Sequence, residues 1–184
     1  MKKAVFIDKD GTLIPDIPYN TDPERITLLP ESVEGLRQLK MEGYLLIIVS
    51  NQAGVARGFF KEEALLGVER KVRELLTAES IALDGFYYCP HHPEGSVEQY
   101  RVRCECRKPR PGLILRAAGD FNIDLHSSWM IGDILNDVEA GKRAGCRTIL
   151  IDNGNETEWL PGEFRSPDYL LKNINEAAMI ILTT

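Results

Sequence analysis

The chain has 184 residues, 43% of them hydrophobic and 27% charged, with a formal net charge of -6. That length suits one domain with a sizeable core, and an acidic chain without a basic face disfavours binding to a nucleic-acid backbone. No apolar run reaches the ~18 residues of a membrane span and MKKAVFID turns charged too early for a signal peptide, so no membrane partner and a cytoplasmic location are expected.

Ala4 to Asp8 is a short apolar run suited to a buried strand, and Glu31 to Met41 carries helical apolar spacing with Pro30 at its start and Gly43 at its close. Tyr44 to Val49 has the length and β-branched content of a central parallel strand. An amphipathic helix follows over Lys61 to Glu79, then a short strand at Phe86 to Tyr88, a helix at Pro111 to Gly119 and a strand at Trp129 to Ile131. Asp137 to Ala144 reads as a helix, Thr148 to Ile151 and Tyr169 to Leu171 as strands, and a last helix starts at Asn175. Asn153 to Pro167 reads as an irregular loop; Trp129 and Trp159 are expected to pack, and Cys146 to be a buried thiol. Strands alternating with helices predict an α/β fold over residues 1–184: a mostly parallel, Rossmann-like sheet covered on both faces.

The first strand ends on Asp8-Lys9-Asp10-Gly11-Thr12. On an extended chain, residues two apart point the same way, which brings two carboxylates to one small region. Their repulsion calls for a cation, a shared proton or a catalytic task. Ligands of open α/β sheets collect at the carboxyl ends of the strands, near the point where strand order reverses. Four predicted strands end on chemically capable residues there: Asp8 and Asp10, Ser50 and Asn51, Cys89 and His91, Gly132 and Asp133.

Three of the four cysteines cluster with histidine in "CPHHPEGSVEQYRVRCECRKP". Cys89-x-His91 and Cys104-x-Cys106 supply three thiolates and an imidazole, a closed tetrahedral set suited to structural zinc, with His92 as the alternative nitrogen ligand. Cys106 runs directly into Arg107-Lys108, so the loop at about residues 89–108 would fix both basic groups.

Asp8-x-Asp10-Gly11-Thr12, Ser50 after the second strand, Lys108 ahead of a helix and Gly132-Asp133-x-x-x-Asp137 together resemble the four motifs of the haloacid-dehalogenase-like phosphatases, in order along nearly the whole chain. The resemblance implies Asp8 as nucleophile, Asp10 as general acid and base, Ser50 as donor to a phosphoryl oxygen and Lys108 as charge neutraliser. It also implies a magnesium ion held by Asp8, the Asp10 carbonyl and Asp133. Asp137 is left between a support for that metal and a charge favouring a helix N-terminus. Gly11 and Gly54 are expected to let backbone approach a phosphate.

The Cys-His-Cys-Cys loop and "SNQAGVARG" are similar to the branch of this family that holds sugar-bisphosphate and histidinol-phosphate phosphatases. This implies a small phosphorylated sugar, a heptose 1,7-bisphosphate, as substrate and histidinol phosphate as the competitor. Asp16, Tyr19, Ser50, Asn51, Gln52, Ala53, Arg107 and Lys108 are the implied substrate contacts; by residue type Arg57 and Arg107 are also expected to clamp a second phosphate, since guanidinium forks suit phosphate oxygens, with a solvated surface role the alternative for Arg57. Lys9 stands where arginine is frequent in that branch, and Ile134 where some members place a lysine. About 56 residues separate Asn51 from Lys108, too few for a cap domain, so loops must set selectivity. An open single domain predicts a monomer. A non-enzymatic, zinc-stapled binding module is the alternative, in which Asp8→Asn changes nothing.

Overall fold

The computed structural model describes residues 1–184 as β1 (Ala4–Ile7), α1 (Pro30–Met41), β2 (Leu45–Asn51), α2 (Ala64–Ala78), β3 (Gly85–Cys89), α3 (Gly112–Phe121), β4 (Trp129–Gly132), α4 (Leu135–Ala144), β5 (Arg147–Ile151), β6 (Tyr169–Leu171) and α5 (Ile174–Thr183). All six strands are parallel, in the order β3-β2-β1-β4-β5-β6. The expected α/β architecture is present, and the sheet is wholly rather than mostly parallel.

Alternation along β1 explains the layering. Val5 and Ile7 pack with Leu36 and Leu39 of α1, Val68 and Val72 of α2 and Ala177 and Ile181 of α5. Ala4 and Phe6 face the other way, against Leu113 and Ala117 of α3 and Ala140 of α4. Phe6 is fully buried, and its truncation to alanine should cost about 3–5 kcal/mol, as such core deletions do.

Element boundaries differ from the expected ones where hydrogen bonding outlasts hydrophobicity. β2 runs through Ser50 and Asn51 because these pair with Tyr88 and Cys89 of β3. α2 begins at Ala64 rather than Lys61, after a turn closed by Ala64 N–H to the Lys61 carbonyl. α4 starts two residues earlier than expected, with the Asp137 carboxylate turned back to accept from Ile134 N–H at 3.2 Å. Gly43, φ +80°, follows α1 in the left-handed region that the chain needs to turn into β2.

Trp129 packs as expected, 2% exposed, with the Arg147 guanidinium 4.0 Å above its ring. Trp159 does not: it is 48% exposed on the irregular 153–167 segment, where no element lies over it. Cys146 is buried on the α3/α4 face.

Strand order sets the position of the site. The chain leaves β1 through α1 on one face and leaves β4 through α4 on the other. The loops after these neighbouring strands therefore diverge, and a crevice opens between them at the carboxyl end of the sheet.

Candidate active site

The chain stays extended one residue beyond β1, with Asp8 N–H donating to the Ile131 carbonyl at 2.9 Å. It then turns, Leu13 and Ile14 N–H both donating back to the Lys9 carbonyl. This turn separates the two carboxylates that simple alternation placed together. Asp8 goes into the sheet end; Asp10 goes to the rim.

Asp8, Asp133 and Asp137 are buried, with one carboxylate oxygen of each lying within 4.8 Å of the others. Into this group enters Lys108, 3% exposed, whose Nζ is 2.5 Å from Asp8 Oδ1, 2.8 Å from the Val49 carbonyl and 2.6 Å from Asp137 Oδ1. The Asp137 contact is a buried ion pair. Asp137 thus holds Lys108 through one oxygen and caps α4 through the other.

Three carboxylates against one ammonium leave about two negative charges in a buried space. Burial accordingly pushes the Asp8 carboxyl well above its ordinary 3.8 against the pull of Lys108, with Asp137, Asp133 and Asp10 adding to the rise. Asp133 is raised to about 6, first by burial and then by Asp137. Burial disfavours the Lys108 charge, but Asp137 and Asp8 outweigh it and hold the ammonium above its usual range. A divalent cation would cancel the excess, and the clustered hard carboxylate oxygens fit magnesium.

Asp10 is held from two sides. Lys9 curls back, itself only 1% exposed, to put Nζ 2.5 Å from Asp10 Oδ1. Gln52 Nε2 donates to Asp10 Oδ2 at 3.0 Å and to Ser50 Oγ at 2.8 Å, leaving the Ser50 proton free for another acceptor. Asn51 grips Lys108 by its backbone, accepting from Lys108 N–H and donating to the Lys108 carbonyl, both at 3.0 Å.

Asp10, Asp16, Tyr19, Asn51, Gln52, Ala53 and Arg107 line one cleft of about 300 Å³. Six of the nine expected substrate contacts line this cleft; Ser50, Lys108 and Arg57 lie outside the lining, with Arg57 Nη2 3.4 Å from His92 Nε2. A larger cavity of about 430 Å³ lies beyond Asp16, lined in part by Gly11, Thr12 and Asn155. The smaller cleft is the better candidate for substrate, because Asp10 and Arg107 converge on it. Tyr19, on the cleft lining, packs edge-on against Phe59, ring centroids 4.5 Å apart, a contact with no signal in the residue spacing.

Both glycines are required by close neighbours. A Cβ on Gly11, φ +85°, would fall 2.2 Å from Asp133 Oδ2 and 2.5 Å from Asn155 Nδ2, so glycine is needed for the carboxylate to approach. At Gly54, which also lines the cleft, the obstacle is the Phe60 ring at 2.2 Å, a packing demand.

At the end of β3, Cys89, His91, Cys104 and Cys106 converge as a second candidate metal centre. Their Sγ–Sγ separations are 3.1, 3.3 and 3.5 Å, and His91 Nδ1 lies 3.3 Å from Cys106 Sγ and 3.6 Å from Cys89 Sγ. A tetrahedron with metal–sulfur bonds of ~2.3 Å has edges of ~3.7 Å, so the set fits zinc with slight expansion. Hydrogen bonding from Cys89 lowers the Cys106 thiol to about 5, the thiolate character a metal ligand needs. His92 is turned elsewhere, its Nδ1 accepting from Glu94 N–H at 3.1 Å. Glu62, just before α2, ties this loop to β3, accepting from Tyr88 Oη at 3.1 Å and Tyr100 Oη at 2.6 Å.

This all-parallel sheet with an acidic, lysine-bridged centre at its switch point is that of a haloacid-dehalogenase-like hydrolase. Residues 105–177 match the family model described as HAD-hydrolase-like. The fold superposes with a TM-score of 0.84 on D,D-heptose 1,7-bisphosphate phosphatase from B. bronchiseptica, a structure complexed with magnesium and phosphate, at 27% identity and covering 98% of each chain. The sequence is 42% identical over 183 residues to D-glycero-beta-D-manno-heptose-1,7-bisphosphate 7-phosphatase of Pasteurella multocida (strain Pm70), covering 98% of this chain and 97% of that one. It is 36% identical over 179 residues to the protein of the same name from Escherichia coli (strain K12), covering 97% and 93%. The chain belongs to the D-glycero-beta-D-manno-heptose-1,7-bisphosphate 7-phosphatase family, and it is a phosphatase.

Proposed function

We propose that the protein removes the 7-phosphate of D-glycero-β-D-manno-heptose 1,7-bisphosphate, with magnesium as catalytic cofactor and zinc as a structural one. The observation that carries this reading is that Asn51, which lines the cleft with Asp10, Asp16, Tyr19 and Arg107, holds the backbone of Lys108, whose ammonium pairs with the buried Asp8 and Asp137.

An Asp8 carboxylate oxygen attacks phosphorus while the ester bond to the sugar oxygen breaks, and Asp10 gives its proton to that departing oxygen. Asp10, now a carboxylate, takes a proton from water; the water oxygen attacks the aspartyl-phosphate, the bond between Asp8 oxygen and phosphorus breaks, and inorganic phosphate leaves. Asp8, the Asp10 carbonyl and Asp133 would hold magnesium, which would supply neutralising positive charge for the phosphoryl oxygens. Ser50 donates its free hydroxyl proton to one of them, and Lys108 balances the charge gathered around Asp8. Arg107 suits the distal phosphate because a guanidinium fork matches phosphate oxygens. Asp16 and Tyr19 border the space for the sugar.

The test is phosphate release from both anomers of heptose 1,7-bisphosphate and from histidinol phosphate, with magnesium present and Asp8→Asn as control. We expect a preference of about a hundredfold or more in kcat/KM for the β-bisphosphate, equivalent to about 2.7 kcal/mol of differential transition-state binding. Faster release from histidinol phosphate would overturn the substrate; an Asp8→Asn variant as active as wild type would overturn the mechanism.

A further inference from the structure

Between β5 and β6 the chain makes a long irregular excursion to which the reaction above assigns nothing. Its first residues nevertheless reach into the acidic centre. Asn155 Nδ2 donates to Asp133 Oδ2 at 2.6 Å, while Thr12 Oγ1 donates to Asp133 Oδ1 at 3.2 Å from the opposite side. Both oxygens of this carboxylate are therefore oriented by a neutral donor. Asn153 Nδ2 donates to the Gly11 carbonyl at 2.7 Å, and its own Oδ1 accepts from Asn155 N–H at 3.1 Å. Glu156 completes the set: its Oε2 accepts from Leu135 N–H at 2.6 Å, fixing the first residue of α4.

These contacts join three parts of the centre that the sheet alone leaves separate: the turn after β1, the carboxylate after β4 and the start of α4. Gly11 shows how tightly they meet, since a Cβ there would strike both Asp133 and Asn155. The asparagines lie at the surface, so they add nothing to the core. Loop residues with hydrogen bonds directed onto a buried carboxylate have a positioning role, because a free carboxylate would spend part of its time in rotamers that cannot bind a cation.

We propose that Asn153–Glu156 is a strap that holds Asp133 in its cation-binding orientation and thereby sets the magnesium affinity of the site. This rests on the reading of the acidic centre as a magnesium site. Asn155 is the residue that acts on Asp133 directly; Asn153 and Glu156 hold the strap in place.

The experiment is calorimetric titration of magnesium chloride into the zinc-loaded protein, comparing wild type, Asn155→Ala and Arg165→Ala. Arg165 tethers the far end of the same excursion, donating to Asn136 Oδ1 and Glu139 Oε2 at 3.0 Å, and touches no part of the acidic centre. We expect Asn155→Ala to weaken magnesium binding about 10- to 100-fold with an unchanged melting temperature, and Arg165→Ala to leave the magnesium affinity where it was. Saturating magnesium should then return the turnover of Asn155→Ala to the wild-type level. Unchanged affinity in Asn155→Ala overturns the proposal, and so does an equal loss in both variants, which would make general loosening of the excursion the cause. If wild type itself takes up no magnesium, the reading of the acidic centre fails first, and that outcome is distinct from failure of the strap.

Discussion

Lys108 Nζ stands 2.5 Å from Asp8 Oδ1, although 100 positions separate the two in the chain. The same ammonium reaches Asp137, so removing its charge would leave three buried carboxylates facing one another. Lys108→Met keeps most of the side-chain volume. It should lower kcat by about 10²-fold or more, and denaturant titration of the metal-free variant should show a loss of about 3–5 kcal/mol. Wild-type turnover in a folded Lys108→Met protein would exclude Lys108 from the reaction.

The Cys-His-Cys-Cys centre should hold one zinc per chain, measured by elemental analysis. Its last ligand is followed directly by Arg107 and Lys108, so a metal there would hold the backbone from which both basic side chains reach the cleft and the acidic centre. His91→Ala should lose the zinc and most of the activity, whereas His92→Ala should keep the zinc. Zinc retained in His91→Ala and lost in His92→Ala would transfer the nitrogen ligand to His92.

Much of this was legible in the residue order, for identifiable reasons. Apolar runs of strand length that end on Asp8, Ser50, Cys89 and Gly132 mark strand ends directly, and a parallel α/β sheet brings such ends to one edge. What was not legible depends on long side chains folding back. Lys9 to Asp10, Gln52 to Asp10, Asn51 to the Lys108 backbone and Asn155 to Asp133 are contacts of rotamer and loop shape, which hydrophobic periodicity does not encode. The approach of the Arg57 guanidinium to His92 is likewise a matter of rotamer. Trp159 looked like core by residue type, yet the 153–167 excursion places it in solvent.

Asp168 links acid stability to the edge of the sheet. Its carboxylate accepts from Lys142 Nζ at 2.6 Å, Thr148 N–H at 2.7 Å and Thr148 Oγ1 at 3.1 Å. Partial burial would raise its pKa, but the Lys142 ammonium and the Thr148 donors outweigh burial and hold it below the ordinary 3.8. A carboxyl depressed by folding stabilises the native state above its unfolded pKa and loses that contribution as pH falls through the folded one. Asp168→Asn should therefore cost about 1–3 kcal/mol near neutral pH, with the gap from wild type closing as pH drops below 3.8. Urea titrations at neutral and strongly acidic pH check this; a gap that widens in acid would reverse the assigned sign.

Gln52 offers the sharpest separation of positioning from substrate binding. Its Nε2 is the donor shared by Asp10 Oδ2 and Ser50 Oγ, and the side chain is 7% exposed, so little of it is available to substrate. Gln52→Leu preserves bulk and removes that donor, leaving Asp10 held only by Lys9. Proton transfer by a well-placed group contributes about 10²- to 10⁴-fold, and partial misplacement should cost about 10- to 100-fold in kcat on the sugar bisphosphate, with KM nearly unchanged. p-Nitrophenyl phosphate, whose leaving group needs no proton, should show a smaller loss. An equal loss on both substrates would remove Gln52 from the control of Asp10, and a rise in KM alone would make it a substrate contact, as its place in the sequence motif first indicated.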